Sequence, residues 1–176
     1  MDKYEFEIVG AFAFSVENNL DERGSLIRIF DSVELFPNFK VVQASYVENP
    51  INGTLRGLHF QAKGRAENKI VQCISGKIFD VIVDIDKESS TYAKVCSVYL
   101  GPKEKFQGIF IPKNCAHGYL TLSENSNVTY FMDIEYLLEY SQGIKWDDPF
   151  LNIPWPISPI TISERDKHLP FLEYEK

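Results

Sequence analysis

The sequence predicts an all-β fold, a sandwich or a barrel, on three observations. Short runs rich in β-branched and aromatic residues recur at even spacing, turn signals separate them, and helical periodicity is scarce. In chain order the runs span residues 41–47, 69–74, 78–85, 93–100, 108–112 and 127–134. Asn52-Gly53, Ser75-Gly76, Gly101-Pro102 and Ser123-Glu124-Asn125 punctuate them. Ser75-Gly76, with an apolar run on each side, reads as a tight hairpin. Helix is expected only in short pieces. One turn fits Ser32 to Phe36 ahead of Pro37, and another fits Ser163 to His168. Four prolines after Asp147 (Pro149, Pro154, Pro156 and Pro159) dictate an extended, irregular path. Ile153, Trp155 and Ile157 make that segment apolar enough to pack on the barrel.

Alternation gives each strand two faces. In residues 78–85, Phe79, Val81, Val83 and Ile85 share a face that looks like core. Ile78, Asp80, Ile82 and Asp84 share the other, which suits either a barrel interior holding a polar ligand or an ordinary solvent face.

The 176 residues make one domain, 1–176, and a composition 44% hydrophobic and 14% aromatic supports one sizeable core. No stretch approaches the roughly 20 apolar residues of a membrane helix. The opening Met1-Asp2-Lys3-Tyr4-Glu5 lacks the basic-then-apolar order of a secretory signal, so a cytoplasmic location is expected. A net charge of -7 argues against broad nucleic-acid binding but leaves room for a local basic pocket that takes a small anion. Cys73, Cys96 and Cys115 are odd in number and scattered, which excludes a disulfide framework and a CxxC zinc site. Cys73 and Cys96 lie in apolar runs and read as buried thiols.

The densest cluster of chemistry is Gly53-Thr54-Leu55-Arg56-Gly57-Leu58-His59-Phe60-Gln61. On a strand, His59 and Gln61 point one way and Leu58 and Phe60 the other, while Gly57 allows a bulge or a close ligand approach. Lys69 follows. Further on, Ile111 to Tyr119 reads as a strand ending in a turn with the His117 imidazole at its tip. His168 lies in a charged setting and reads as solvated. His59 and His117 sit in apolar, glycine-punctuated contexts, where each fits either a structural histidine or a catalyst.

Ordered segments then make a resemblance. Asp21-Glu22-Arg23-Gly24, Leu55 to Gln61, Lys69-Ile70-Val71, Asp80 to Ile85, Ile111-Pro112 through Ala116-His117-Gly118, Tyr130 with Tyr136, Gly143 to Pro149, and Ile162 to Asp166 resemble the dTDP-4-dehydrorhamnose 3,5-epimerase family. The resemblance implies a jelly-roll, cupin-like barrel with short helices and an irregular C-terminal segment, a homodimer, a nucleotide-diphosphate sugar substrate, and neither metal nor cofactor. It implies an epimerase that inverts C3, C5 or both of a 4-keto-6-deoxyhexose, for deoxysugar and surface polysaccharide biosynthesis.

Epimerisation beside a ketone removes an acidic C–H proton, stabilises an enolate, and returns a proton to the opposite face. His59 resembles the base, since an imidazole accepts protons near neutrality. Asp166 matches the carboxylate that orients it, Lys69 the cation at the enolate oxygen, and Tyr130 the acid on the far face. Among binding groups, Arg23 and Arg56 match guanidiniums that grip the diphosphate. Gln43 and His117 match further substrate contacts, Tyr136 an aromatic lining the pocket, and Arg165 a position usually held by lysine. On their own, Tyr130 reads as a core aromatic and Arg23 and Arg56 as surface arginines. Three positions depart from the family pattern. Arg28 stands where a nucleoside-holding glutamate is usual, Ser45 where asparagine is common, and Ser141 where glutamate is frequent. All three bear on substrate grip rather than proton transfer.

Two other classes compete. A catalytically silent nucleotide-sugar binding module would keep the arginines and dispense with His59 or Tyr130. A metal-dependent cupin enzyme uses an HxH pair, a nearby glutamate and a later histidine. Here the first element reads His59-Phe60-Gln61, and the Lys69 cation opposes a metal.

Overall fold

The computed structural model describes residues 2–31, 33, 36–62 and 64–173. Their strands are β1 (Lys3–Glu5), β2 (Phe12–Phe14), β3 (Asn18–Asp21), β4 (Gly24–Ile27), β5 (Gln43–Asn49), β6 (Thr54–Gln61) and β7 (Lys69–Ser75). Then follow β8 (Ile78–Asp84), β9 (Val95–Leu100), β10 (Gly108–Ile111), β11 (Cys115–Thr121), β12 (Ser126–Met132), β13 (Ser141–Gly143) and β14 (Thr161–Ile162). One helical turn, α1 (Glu164–Lys167), comes last, and the Ser163 hydroxyl caps it by accepting from the Asp166 N–H.

Two sheets make the body. The first runs β1-β2-β10-β7-β12-β5 and the second β13-β6-β11-β8-β9, with β14 parallel to β6. The β3–β4 pair is a separate two-stranded ribbon whose residues are all exposed. Between the sheets lies an apolar core. It takes Val71 and Cys73 from β7, Ile109 and Ile111 from β10, and Val128 from β12, against Ile78 and Ile82 from β8 and Tyr119 from β11. The outer face of the first sheet is covered by Phe30, Phe36, Phe39 and Val41, packed on Phe12, Phe14 and Ile70. The outer face of the second is covered by Ile144, Leu151, Ile153 and Trp155, packed on Phe79, Val81 and Val83. Both sheets are therefore apolar on both faces.

The expected all-β architecture holds, the runs at 41–47, 69–74, 78–85, 93–100, 108–112 and 127–134 all carry strands, and the proline-rich segment packs on the barrel. Several readings are corrected. Ser75-Gly76 is not a hairpin, because β7 and β8 belong to different sheets and the turn hands the chain from one to the other. Gly76 (φ +74°) is required there, since a Cβ would meet the Ser126 Cα at 2.7 Å. His117 is not at a turn tip but inside β11, where Asn114 takes the tight-turn conformation instead (φ +66°). The face of β8 bearing Phe79, Val81 and Val83 is core as expected, packed under the C-terminal segment, but Ile78 and Ile82 on the other face are core too and fill the space between the sheets. Asp84 accepts from the hydroxyls of Ser89 and Thr91, so it fastens its own loop rather than a ligand. Cys96 is half-buried, and Cys115 joins Cys73 in the core instead. Ile157 is exposed. Strands β1 to β4, β13 and β14 carried no sequence expectation. Of the turn expected at Ser32 to Phe36, Ser32, Glu34 and Leu35 lie outside the described residues. Among the described residues no helix is long and apolar enough to cross a membrane.

Candidate active site

Alternation on the inner face of the first sheet builds a gradient from apolar to polar. On β12 the inward residues run Val128, Tyr130, Met132, and on β7 they run Cys73, Val71, Lys69. On β5 they are Val47, Ser45 and Gln43. The apolar ends close the core, and the polar ends line a cavity of about 460 Å³.

The second sheet supplies the facing wall from β6 and β11. Arg56 and His59 both line the cavity although they stand three residues apart, an odd spacing that strict alternation forbids. A register shift between His117 and Tyr119, opposite Gly57, resolves this. Gly57 (φ +117°) packs so tightly on β11 that a Cβ would meet the Gly118 Cα at 2.6 Å and the His117 carbonyl oxygen at 2.7 Å. This bulge, allowed for at Gly57 from sequence, turns both side chains inward.

His59 Nε2 lies 2.7 Å from Asp166 Oδ1. The other carboxylate oxygen accepts from the Gly57 N–H at 3.1 Å. Burial pushes the Asp166 carboxyl up, but the hydrogen bond and charge of His59, with the Gly57 amide, hold it below the usual value. The His59 side chain keeps 37% of its surface exposed, so its Nδ1 edge is reachable from the cavity. Lys69 Nζ is 2.8 Å from Glu67 Oε1 and donates to the His59 carbonyl at 3.4 Å. An ammonium has three N–H donors, so one is left for the cavity. Tyr130 sits across from His59, on the other sheet, and burial holds its phenol well above the ordinary tyrosine value. The buried Tyr119 hydroxyl donates to Asn49 Oδ1 at 3.3 Å.

At the mouth, Arg165 donates to the Ser141 hydroxyl at 2.8 Å, and Ser141 and Arg165 draw the Tyr136 phenol below its ordinary value. Gln43 accepts from the Tyr136 N–H at 2.9 Å and reaches the Ser45 hydroxyl at 3.4 Å. Arg56 donates through Nε to Asn49 Oδ1 at 2.8 Å. His117 lies deeper, 2.9 Å from Asp80 Oδ2. Burial pushes the Asp80 carboxyl up, and the His117 charge opposes that.

Of the thirteen residues singled out from sequence, His59, Lys69, Tyr130, Gln43, Ser45, Arg56, His117, Tyr136, Ser141 and Arg165 line this one cavity, and Asp166 stands behind His59. Arg23 and Arg28 do not. Arg23 lies on the ribbon turn and pairs with Asp21, and Arg28, just past the ribbon, pairs with Asp31 at 3.0 Å. Sequence reading missed Glu67, Asn49, Tyr119 and the His117–Asp80 pair. Glu67 carried a signal, a carboxylate two residues before a strand-borne lysine. The others are contacts between distant segments, which no local pattern encodes. Among the described residues no group of three or more His, Cys, Asp or Glu is placed to share a metal ion.

The family model for dTDP-4-dehydrorhamnose 3,5-epimerase matches residues 5–174. The chain belongs to the dTDP-4-dehydrorhamnose 3,5-epimerase family. The Methanothermobacter thermautotrophicus protein of that name is 37% identical over 166 residues, 90% of this chain and 88% of its own. The crystal structure of the Bacillus anthracis dTDP-4-dehydrorhamnose 3,5-epimerase with TDP and PPi bound superposes with a TM-score of 0.91 at 31% identity, covering 97% of this chain and 99% of that one. The Legionella pneumophila epimerase in complex with dTDP-4-keto-L-rhamnose gives a TM-score of 0.90 at 29% identity, covering 97% and 92%. This epimerase therefore has the cupin-like barrel of its relatives and acts on sugars in deoxysugar biosynthesis.

Proposed function

We propose that this epimerase inverts the carbons flanking the ketone, C3 and C5, of a dTDP-linked 4-keto-6-deoxyhexose, with His59 as base and Tyr130 as acid. One observation carries the reading. The Asp166-backed His59 and the high-pKa Tyr130 come from opposite sheets and line the same cavity, so a flat enolate there meets a base on one face and an acid on the other. His59 takes the C–H proton, and Asp166 stabilises the imidazolium that forms. Lys69 offers its remaining N–H to the enolate oxygen in a site screened from bulk water. Tyr130 returns a proton to the far face of the carbon. Arg56 and Arg165 are the cavity cations for the diphosphate. The test is incubation with dTDP-4-keto-6-deoxyglucose in deuterium oxide, followed by proton NMR. Deuterium is expected at the inverted carbons, and no exchange with it or with other 4-keto nucleotide sugars would sink the assignment.

The working unit in this reading is a homodimer. The ribbon is solvent-exposed, with Leu20 at 77% and Leu26 at 74% exposure. Packed against a second copy, it would bury these leucines and bring Arg23 to that copy's cavity, with Arg28 beside it. Sedimentation should report twice the 20.2 kDa chain mass, and Leu20→Asp with Leu26→Asp should give monomers with a raised KM. A fully active monomer would refute the dimer. Free Cys73, Cys96 and Cys115, with burial pushing the Cys73 and Cys115 thiols up to about 12, suit the reducing cytoplasm proposed for it.

A further inference from the structure

Lys69 reaches the cavity already paired, and its partner has no part in the proton-transfer scheme. Glu67 and Lys69 are both buried and both line the cavity. Their side chains are 4% and 9% exposed, and Glu67 Oε1 lies 2.8 Å from Lys69 Nζ. Glutamate is almost never this buried unless it is paired, because a carboxylate taken out of water is costly. Filling the same volume would need only an apolar side chain or an amide. The residue between the two fastens the segment that carries them. Asn68 donates through its backbone N–H to Asp133 Oδ1 at 2.8 Å and through Nδ2 to Asp133 Oδ2 at 2.5 Å. Its carbonyl accepts from the Asp133 N–H at 3.4 Å, and its side-chain Oδ1 accepts from the Lys113 N–H at 3.0 Å. Asp133 directly follows β12, the strand that carries Tyr130, and Lys113 lies between β10 and β11. Asn68 thus ties the Glu67–Lys69 pair to the end of the Tyr130 strand and to a neighbouring turn.

We propose that Glu67 is a positioning residue for enolate formation, which keeps the Lys69 ammonium charged inside the cavity and fixes the direction of its remaining N–H. This rests on the reading of Lys69 as the cation at the enolate oxygen. Two of the three N–H bonds are taken, one by Glu67 and one by the His59 carbonyl, so the third has a set direction. The carboxylate has two opposing effects on the enolate. It repels the developing negative charge, and it holds the positive charge that attracts it. Distance decides between them. An enolate oxygen on the third N–H would sit about 2.8 Å from Nζ. Acceptors on two bonds of one tetrahedral ammonium stand on the order of 4.5 Å apart. Attraction at the shorter distance outweighs repulsion at the longer one. Without Glu67 the repulsion disappears, but so does the charge that pays for burying the ammonium, and a buried amine without a partner sheds its proton. A neutral amine can still donate a hydrogen bond but brings no positive charge to the enolate. Glu67 itself stays ionised and exchanges no proton.

The test is Glu67→Gln, which keeps the shape and removes the charge, with Lys69→Met run beside it. In Glu67→Gln, kcat should fall about 10- to 100-fold, the range expected for losing a hydrogen bond to a charged group, with KM little changed. The enolate precedes both outcomes, so deuterium exchange and inversion should fall by the same factor. Glu67→Asp keeps the charge at a shorter reach and should retain more kcat than Glu67→Gln. Glu67→Ala leaves room for a small carboxylate, so added formate should restore turnover with saturation, and formamide, of the same shape but uncharged, should not. A residue that only shaped the loop would show no such preference for charge. Wild-type or faster turnover in Glu67→Gln would overturn the proposal, as would rescue of Glu67→Ala by both additives or by neither. If Lys69→Met exchanges and inverts at the wild-type rate, the enolate role of Lys69 falls and this proposal with it. If Lys69→Met is defective while Glu67→Gln is not, the role of Glu67 alone falls.

Discussion

His59 and His117 are register partners on neighbouring strands, and each pairs with an aspartate, yet the two pairs differ in almost every physical respect. The His59 side chain is 37% exposed, whereas that of His117 is 4% exposed. Asp166 arrives from the C-terminal helical turn and has both oxygens partnered, one by His59 and one by the Gly57 amide. Asp80 arrives from the adjacent strand β8, and its Oδ1 is buried with no partner. The consequences for the carboxyls are opposite. His59 and Gly57 outweigh burial and hold Asp166 down, while burial outweighs His117 and pushes Asp80 up. The same two residue types therefore make a pair with one edge open to the cavity, as the proposed base requires, and a structural strut where neither edge is open. The strut has a second effect, since His117 stands edge-on to Tyr130, with ring centroids 5.9 Å apart at 73°.

If that contrast is right, His59→Asn should abolish turnover without unfolding the protein. A general base contributes about 100- to 10,000-fold, and kcat should fall by that order, with deuterium exchange lost and Tm nearly unchanged, because an exposed edge leaves no cavity in the core. Exchange above background in this variant would move the base elsewhere. Asp80→Ala should do the reverse. Removing one partner of a buried pair costs about 3 to 5 kcal/mol, so urea unfolding should show a loss of that size. Exchange by His59 should persist in the fraction that stays folded. A stable Asp80→Ala protein would show that His117 does not depend on its partner.

The two pairs also show what the sequence could and could not convey. Alternation placed β5, β7, β8 and β12 within a few residues, because one face of each had to be apolar. It put Asp80 on the face opposite Phe79 and Val81, and left open whether that face met a ligand or solvent. The structure answers with neither, since a protein histidine fills the position. Arg56 and His59 show the limit in another form. Their odd spacing puts them on opposite faces of a regular strand, and only the Gly57–Gly118 approach, made by residues 61 apart in sequence, turns both inward. Ser75-Gly76 misled for a related reason. Turn chemistry fixes a change of direction but not which strand becomes the neighbour. The pairing of Asp166 with His59 spans 107 residues and could be expected only through a family pattern. Arg23 and Arg28 fit that pattern as well, yet the single chain leaves them on or beside an exposed ribbon.

The smallest expected effect separates the two aspartates by pH. The Asp166 carboxyl is held below its unfolded value of 3.8, so its ionised form stabilises the fold. That contribution is complete above the unfolded pKa and disappears as pH falls through the folded one. Asp166→Asn keeps an acceptor for the Gly57 amide but loses the charge beside His59. It should therefore lower Tm at pH 7 by about 2 to 4 °C, the shift corresponding to roughly 1 kcal/mol in a chain of this size. Toward pH 3 the wild type loses its advantage and the two melting curves should converge. Asp80→Asn should show the opposite slope. The Asp80 carboxyl is raised, so its protonated form is the one the fold prefers, and that preference is complete below 3.8 and lost as pH rises through the folded pKa. Relative to wild type, Asp80→Asn should thus gain ground as pH rises, because asparagine never has to ionise in the core. Thermal unfolding of the three proteins across pH 3 to 7 measures both slopes at once. Parallel curves for Asp166→Asn and wild type would mean that the Asp166 charge does not stabilise the fold, and slopes of the same sign would mean that burial does not distinguish the two pairs.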